Sequence, residues 1–494
     1  MKKAGDDGGQ APFPPRPLHA MIWAMTESAD TTPADPADWA ATALAPAFAS
    51  GALSPVEVIE AVLARVAAWE GDLCATYALD PEGARAAARA AEARWRSGMA
   101  LGPLDGVPVT IKEMVATRGV PTPMGTAASM LTPAPADAPA PARLREAGAV
   151  IFAKTTAPDY GMLSSGLSSF HPLTRNPWDL TRTPGGSSSG AGAAAAAGYG
   201  PLHLGTDIGG SIRLPAGWCG IFGLKPSNGR VPIDPPYLGR VAGPMTRTVA
   251  DAALMMTAIT RPDARDHMSL PWQGIDWMAL DGDVRGLRIG LMMDAGAGTA
   301  VEPAVRDAVM AAARVFEAGG AHVAMAEPFL TPAMFDGFDT FFRTRFWAET
   351  RDLPPERYER ILPYIRAWVE PASGTSALEL YQGYQQLVAI REAGVRFSQR
   401  FDYVLSPVAP MAAFDACLPG PNNDPSRPFD HIAFTMPCNM TEQPSASIDC
   451  GVTPGGLPIG LQISGRRFDD HGVLRVAQWF ETARGDWRGW PEPA

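Results

Sequence analysis

A block of small residues between Thr183 and Pro232 constrains the fold of this 494-residue chain more than any other stretch. Two loops rich in glycine and serine, residues 185–190 and 205–211, flank an alanine-rich segment that we expect to form a buried helix. Small residues let backbone amides approach a bound group closely, and serines supply hydroxyl groups beside them. The block therefore predicts a serine nucleophile that faces a cluster of N–H donors.

Lysine is rare in this chain, which makes each lysine a candidate for a role that arginine cannot fill. Of the 41 basic residues only five are lysines, namely Lys2, Lys3, Lys112, Lys154 and Lys225. A buried lysine can lose its proton and act as a base, whereas arginine stays protonated. Lys112 ends a strand-like run that starts at Val107, which predicts that its side chain lies at the rim of a sheet. An incidental lysine that pairs with Glu113 or another carboxylate is an equally weighted alternative.

Composition and charge exclude several classes of protein. The net charge of −11 argues against autonomous binding to nucleic acid or to an anionic membrane, because no basic stripe offsets the repulsion. No apolar run reaches the length of a membrane span. The five cysteines lack CxxC spacing and the seven histidines lack HxH or HExxH spacing, so no metal site is predicted. We expect a cytoplasmic protein that uses neither a metal nor a cofactor.

The order of the predicted elements indicates an α/β fold with helices on both faces of a sheet. Residues 1–40 are rich in Pro, Gly, Asp and Ala, and we expect them to form a mobile extension before one compact unit, residues 41–494. A helix should begin after Ser54, where Glu57 completes a capping box. The further helices are predicted at 84–96, 140–147 and 302–318, and the strands at 107–111, 150–153, 286–293, 403–406 and 457–463.

Residues 329–400 carry many aromatic side chains at helical spacing. A satisfied helical core explains most of them, and we expect only a minority to touch a ligand. This segment is predicted to be a variable helical region that shapes the substrate site.

Two weaker motifs overlap the small-residue block. Residues 186–190 match the G-x-S-x-G elbow of α/β-hydrolases, which would make Ser188 the nucleophile. That elbow needs an acid and a histidine downstream, and nothing marks a partner around the available histidines, which are His267, His322, His431 and His471. Residues 190–195 imitate a dinucleotide-binding loop but lack the preceding apolar strand, so nucleotide binding is not predicted.

A Lys–Ser–Ser arrangement uses more of the residues that are present. Ser187 can pass the proton of Ser211 to neutral Lys112, and the same relay can later return it to a leaving group. Three consecutive amides before Ser211 can point at one oxyanion. These amides belong to Ile208, Gly209 and Gly210.

Asp207 and Arg213 bracket the Ser211 loop. One interpretation is that they pair and brace the loop. The other is an ordinary surface ion pair, which would contribute little to stability.

Several motifs that occur in a fixed order together span most of the chain, roughly residues 45–485. They lie at 102–112, 174–178, 183–232, 434–441 and 455–462. In these motifs the chain resembles the amidase signature hydrolases. The resemblance implies a central twisted mixed β-sheet flanked by α-helices on both faces. It also implies that Ser211 is the nucleophile, Ser187 the bridging serine after a non-proline cis peptide, and Lys112 the base.

The resemblance further implies an oxyanion and substrate-binding set that comprises Ile208, Gly209, Gly210, Thr206, Ser188 and Met162. The expected reaction is hydrolysis of a carboxylic amide through an acyl-enzyme, with esters and carbamates as alternatives because they share the tetrahedral intermediate. The 13 Trp, 19 Phe and 21 Met favour a hydrophobic or aryl substrate. We expect a monomer or homodimer without a nucleic-acid or membrane partner.

Two other functions are compatible with the same motifs. The family includes the glutamine-hydrolysing amidase subunit of the tRNA-dependent amidotransferases, which works with a second subunit. A catalytically silent binding protein on this scaffold is disfavoured, because Lys112, Ser187 and Ser211 are all present.

Overall fold

The structure, a computed structural model, describes residues 33–485 and 489–492. Most of the predicted extension, residues 1–32, lies outside the described residues. Residues 33–40, which the sequence assigned to that extension, are packed against the fold. Pro36–Asp38 form a 3₁₀-helix with Ala37 buried, and Asp38 forms salt bridges with Arg65 and Arg247. The compact unit therefore begins at Pro33, because these ion pairs hold a segment whose composition alone indicates a mobile tail.

A mixed sheet of eleven strands runs through the described part of the chain. Its spatial order is β1-β3-β2-β4-β6-β5-β10-β11-β9-β7-β8. The strands are β1 Thr76–Tyr77, β2 Pro108–Lys112, β3 Val150–Thr155, β4 Leu202–Asp207, β5 Phe222–Lys225, β6 Val241–Thr246, β7 Arg288–Leu291, β8 His322–Met325, β9 Tyr403–Pro407, β10 Ser445–Val452 and β11 Pro458–Ser464.

Helices cover this sheet and extend beyond it. They are α1 Ala41–Ser50, α2 Pro55–Leu73, α3 Pro81–Arg96, α4 Pro139–Glu146, α5 Ser189–Ala197, α6 Arg213–Cys219, α7 Val249–Ile259, α8 Pro303–Ala318, α9 Pro332–Thr350, α10 Pro355–Tyr358, α11 Pro363–Val369, α12 Ala377–Ser398, α13 Met436–Met440 and α14 Asp470–Arg484. The capping box predicted at Ser54 and Glu57 is confirmed at the start of α2. None of the helices in the described ranges is both long and apolar enough to cross a bilayer.

The parallel pairing of β2 with β4 determines where the polar residues of the small-residue block lie. Ile111 pairs with Leu204 in this ladder, so both strands end at the same edge of the sheet. Lys112 is the last residue of β2, and Asp207 is the last residue of β4. The lysine and the loop that follows Asp207 are therefore neighbours, although 95 positions separate the two residues in the sequence.

The alanine-rich segment forms α5, whose nine residues are all buried. Small side chains are required here because α6 crosses at close range: a Cβ on Gly192 would lie 2.9 Å from Cβ of Pro215. The predicted buried helix is thus confirmed. The helix begins in the first serine-rich loop, and β4, which follows it, leads into the second.

A second hydrophobic core lies in the aromatic region predicted at 329–400. Buried side chains from α9 and α11 form much of it, including Phe335, Trp368 and Ile365. Ring pairs such as Phe338 with Phe342, whose centroids are 4.6 Å apart, add aromatic contacts to this core. Most aromatic residues of the region pack against each other, as the helical spacing predicted.

Candidate active site

Lys112 is buried at the end of β2 and lies against Ser187. Its Nζ is 2.8 Å from the Ser187 Oγ. Burial, reinforced by the positive charge of Arg240, lowers the pKa of Lys112 to about 7. The alternative of a lysine paired with Glu113 does not hold in the described residues, because the Lys112 Nζ contacts the Ser187 Oγ and forms no ion pair with that carboxylate. Near neutral pH, Lys112 is therefore able to accept a proton.

Ser187 follows a cis peptide bond with Gly186, the arrangement that the family resemblance predicted. Only glycine fits before it, because a Cβ on Gly186 would lie 2.5 Å from the Leu163 carbonyl oxygen. Gly161 lies on the other side, and a Cβ there would lie 3.1 Å from the Ser187 Oγ. Backbone approaches on both sides thus fix the position of the serine hydroxyl beside Lys112.

Ser211 lies between β4 and α6 and is half-buried. The Ser188 amide donates a hydrogen bond to the Ser211 carbonyl oxygen at 3.1 Å, which joins the two serine-containing segments. The Ser211 side chain makes no hydrogen bond within the described residues, and it faces a cavity of about 430 Å³. Its hydroxyl is therefore available to a molecule in that cavity.

A buried ion pair braces the Ser211 loop. Asp207 and Arg213 are both fully buried, and the Nη2–Oδ1 distance is 2.9 Å. Burial opposes ionisation of Asp207, but the charge and hydrogen bonds of Arg213 hold its pKa well below the usual range. The interpretation as a surface ion pair is thus wrong, and the bracing interpretation matches the geometry.

The remaining donors of Arg213 reach two distant motifs. The Nη1 atom of Arg213 donates to the Thr435 carbonyl oxygen at 2.7 Å and to the Gln462 Oε1 at 2.8 Å. Its Nη2 atom donates to the Asn439 Oδ1 at 2.6 Å. The Thr435 hydroxyl in turn donates to the Gly209 carbonyl oxygen at 2.6 Å. These supporting side chains were not predicted from the sequence, although the motifs at 434–441 and 455–462 contain them.

The three predicted oxyanion donors differ in what they face. The Gly210 amide donates to the Asp207 Oδ1 at 2.9 Å, so it is engaged in the brace. The amides of Ile208 and Gly209 make no hydrogen bond to another described residue, and both residues line the cavity. These two amides remain as candidate donors to an oxyanion.

Ser188 and Thr206 lie behind the loop and do not line the cavity. The Ser188 hydroxyl is buried and lies 3.1 Å from the Thr206 carbonyl oxygen, to which it donates. Their assignment to the substrate-binding set is therefore corrected, and Ser188 is not placed to act as an elbow nucleophile. Met162, by contrast, lines the cavity.

Apolar side chains form most of the cavity wall. Three phenylalanines of α9, spaced four residues apart, contribute one side: Phe338, Phe342 and Phe346. The other apolar lining residues are Met114, Ala116, Met124, Tyr160, Met162, Leu163, Ile208, Leu214, Pro235, Pro428, Phe429 and Ile432. Such a lining favours an apolar group next to Ser211.

Four charged side chains also line this cavity, and none of them was predicted from the sequence. They are Asp234, Arg240, Arg345 and Glu349. The Arg345 Nε lies 2.8 Å from the Glu349 Oε1, and its guanidinium stacks 3.7 Å from the Tyr237 ring centroid. No spacing pattern marks these residues, because they come from a loop and a helix that meet only in the fold.

The ligand-type residues do not gather around a metal site in the described ranges. No group of three or more His, Cys, Asp or Glu side chains there has the geometry to hold an ion. The four histidines considered for an elbow mechanism are not brought to Ser188. His431, for example, is buried, and burial lowers its pKa to about 4.

Comparison with known proteins identifies the family of the chain. The family model described as Amidase matches residues 57–474. The chain belongs to the amidase signature family. It is therefore a hydrolase that acts on amide C–N bonds, with the mixed sheet and flanking helices of that fold.

Individual relatives cover nearly the whole molecule. A glutamyl-tRNA(Gln) amidotransferase subunit of Chloroflexus aggregans is 39% identical over 476 residues, which are 89% of this chain and 95% of that protein. A bacterial aryl acylamidase superposes with a TM-score of 0.83 at 30% identity and covers 90% of this chain and 96% of that one. The 6-aminohexanoate cyclic dimer hydrolase with bound substrate gives a TM-score of 0.80 at 25% identity, with coverage of 90% and 97%.

Proposed function

We propose that this amidase hydrolyses its substrate through an acyl-enzyme on Ser211, with Ser187 and Lys112 as the proton relay. The contact between the Lys112 Nζ and the Ser187 Oγ supports the first half of the relay. The second half needs the Ser211 hydroxyl to turn toward Ser187, a contact that forms when substrate fills the cavity. Catalytic hydrogen bonds are often incomplete before substrate binds.

The reaction takes place in two halves. Neutral Lys112 accepts the Ser187 proton, Ser187 accepts the Ser211 proton, and the Ser211 Oγ bonds to the carbonyl carbon. The amides of Ile208 and Gly209 stabilise the resulting oxyanion. The C–N bond breaks as the relay returns the proton to the leaving nitrogen. Water then attacks the acyl-enzyme, the relay takes its proton and returns it to Ser211, and the carboxylic acid leaves.

The substrate proposed for this site is an amide with an apolar or aryl group. The observation that carries the proposal is the cavity wall, where Phe338, Phe342 and Phe346 line the same cavity as Ser211. An aryl group can stack on such rings and leave few polar atoms unpaired. Esters and carbamates of similar shape pass through the same kind of tetrahedral intermediate and are included.

The helical region at 329–400 supplies this wall through α9 alone. We assign substrate selection to α9, since the Phe side chains and the Arg345–Glu349 pair all lie on it. The remaining helices of the region pack behind α9 and support it.

A second candidate is glutamine hydrolysis as part of an amidotransferase. The curated relatives favour this function over that of a free-standing amidase, because relatives of 38–39% identity over 89% of this chain are named as subunits of glutamyl-tRNA(Gln) amidotransferase. The cavity is lined by both positively and negatively charged side chains, which can pair with the carboxylate and ammonium groups of a free amino acid. This function would bring partner subunits and tRNA, contrary to the expectation from net charge that no nucleic acid takes part.

A cytoplasmic location is proposed on the basis of the thiols. Cys74, Cys417, Cys438 and Cys450 lie in the described residues and form no disulfide bond there. Cytosolic proteins keep cysteines reduced, whereas secreted ones commonly pair them.

A substrate panel tests these proposals. The purified chain should be assayed with anilides, short aliphatic amides, aryl esters, aryl carbamates and glutamine, with release of amine or ammonia as the readout. We expect the highest kcat/KM for the anilides, and S211A should lose every activity. Efficient ammonia release from glutamine, with negligible turnover of anilides, would contradict the first proposal and support the second.

A further inference from the structure

Arg240 lies at the edge of the sheet that carries the proposed catalytic groups. It directly precedes β6, whose first residue, Val241, pairs with Asp207 at the end of β4. The two strands are antiparallel, so β6 begins at the edge where β4 ends and the Ser211 loop starts. The Arg240 side chain lines the same cavity as Ser211.

The guanidinium of Arg240 has little polar compensation from the protein. Its Nη1 donates to the Pro235 carbonyl oxygen at 2.9 Å. Its Nε and Nη2 have no hydrogen-bond partner within the described residues, and no carboxylate there forms a salt bridge with it. Three other arginines with largely buried side chains each have a carboxylate partner, namely Arg213 with Asp207, Arg230 with Asp470 and Arg247 with Asp38.

The surroundings make this unpaired charge unfavourable. Burial, reinforced by the positive charge of Arg345, lowers the pKa of Arg240 to about 10. The guanidinium is therefore still protonated at neutral pH. A charge that is removed from water without an ionic partner is costly, and an anion in the cavity would supply that partner.

The two carboxylates of the cavity do not fill this role. Glu349 already pairs with Arg345. Asp234 is exposed and forms no salt bridge with Arg240 within the described residues. Both carboxylates act on the Arg240 charge only at longer range. The free edge of the guanidinium is thus open to a group that enters from the cavity.

We propose that Arg240 binds a carboxylate of the substrate, so that the preferred amide carries an anionic group as well as an apolar or aryl group. The Nε and Nη2 edge of a guanidinium presents two parallel N–H groups, which match the two oxygens of a carboxylate. This inference deepens the proposed amidase function and rests on it for the amide. Selection of the apolar group remains with α9, and Arg240 adds selection for charge.

Binding to the Ser211→Ala variant tests the carboxylate site without turnover. Two pairs of anilides serve as probes. Succinanilate and butyranilide differ by a carboxylate on the acyl part, and para-acetamidobenzoate and para-methylacetanilide differ by one on the amine part. Isothermal titration calorimetry should show that the charged member of at least one pair binds about 10- to 100-fold tighter, the range of a charge-assisted hydrogen bond.

Substitutions of Arg240 in the same background test whether this residue causes the preference. Arg240→Met should remove it, so that both members of the pair bind about equally. Arg240→Lys should keep part of it, because an ammonium retains the charge but not the two parallel donors. Arg306→Met is the matched control: it removes one positive charge from an exposed position on α8 and should leave the preference unchanged.

Kinetics with the nucleophile intact provide a second readout. Arg240→Met should raise KM for the charged anilide much more than for its neutral partner. With the neutral anilide, the rising limb of kcat/KM should also move to higher pH, because the positive charge of Arg240 lowers the pKa of Lys112. The carboxylates of Glu113 and Asp207, which act on Lys112 in the opposite direction, remain in place. A residue that only fills space would leave this limb unchanged.

Three binding results would overturn the proposal. They are equal affinity within both pairs, a preference that survives Arg240→Met, and a preference that Arg306→Met removes equally, which would indicate only the net charge of the protein. Failure of the proposed function has a different signature. If the intact chain hydrolyses glutamine but no anilide, while the Arg240-dependent preference is present, the carboxylate site is supported and the aryl-amide function is not.

Discussion

The two sides of the cavity are built on opposite physical principles. On one side, the Ser211 loop consists of small residues held from behind by the buried Asp207–Arg213 pair, and every charge there has a protein partner. On the other side, α9 presents aromatic rings and a half-exposed ion pair between Arg345 and Glu349. Under the proposed mechanism, the chemistry belongs to the loop side and selection of the apolar group of the substrate to the α9 side. Substitutions on the two sides should therefore affect different properties of the enzyme.

The largest effect is expected at the nucleophile. Ser211→Ala should lower kcat by at least about 10⁴-fold for every substrate, because no acyl-enzyme can form. Turnover of an anilide or another responsive substrate is the measurement. Ser188→Ala is the matched control and should cost at most about tenfold, since it removes two neutral hydrogen bonds to the Thr206 backbone, one donated to the carbonyl oxygen and one accepted from the amide. A reversed order of these two effects would revive the elbow mechanism.

The second largest effect on kcat is expected at Lys112, the proposed base. Lys112→Arg should lower kcat by about 10³-fold, nearly as much as Lys112→Ala, because a guanidinium keeps its charge but cannot accept a proton. Steady-state kinetics on both variants provide the test. Substantial activity in Lys112→Arg would mean that the residue acts only through its charge.

The buried Asp207–Arg213 ion pair should contribute more to the free energy of unfolding than any ion pair on α9. Arg213→Met leaves Asp207 buried without its partner, which should lower the free energy of unfolding by about 3–5 kcal/mol. The corresponding change at Arg345 removes a pair whose side chains are 22% and 44% exposed, and it should cost at most about 1 kcal/mol. Urea denaturation of the two variants compares them directly. Equal losses would show that the two sides are not built differently.

Selectivity for the apolar group of the substrate should change only when residues of α9 are substituted. Phe342→Ala should lower kcat/KM for anilides by about 10- to 100-fold, because an aryl group loses a ring to pack against. Turnover of short aliphatic amides should change much less, and labelling of Ser211 by a small fluorophosphonate should keep its rate. A uniform loss for all substrates would place Phe342 in the catalytic machinery.

The pH dependence follows from Lys112. Because its pKa is lowered to about 7, the neutral amine that starts the relay increases as pH rises through 7. The kcat/KM value should therefore rise along a limb with an apparent pKa near 7, and at pH 6 it should be about tenfold below its plateau. A profile flat from pH 5 to 9, measured with a substrate that does not titrate, would contradict this role.

Local features were predictable from the sequence, and contacts between distant segments were not. The α2 capping box lies within four residues, and Lys112 at a strand end follows from one apolar run, so both could be predicted. The donors of Arg213 bind partners 222 to 249 positions away, which no spacing rule connects. Arg240 and Arg345 likewise meet only because a loop and α9 close over one cavity.

Two errors had the same physical origin. Gly210 and Ser188 have the residue types of an oxyanion site, but composition does not show direction. In the fold, the Gly210 amide points at Asp207 and the Ser188 hydroxyl at the Thr206 backbone. The packed segment 33–40 was misassigned because its ion pairs with Arg65 and Arg247 are formed by residues far along the chain.

The identity of the nucleophile is the central claim, and mass-spectrometric mapping of a fluorophosphonate adduct tests it most directly. We expect a single adduct on Ser211, formed faster as pH rises through 7 and strongly slowed in Lys112→Arg. An adduct on Ser188, or one on Ser211 whose rate is unchanged by Lys112→Arg, would contradict that claim.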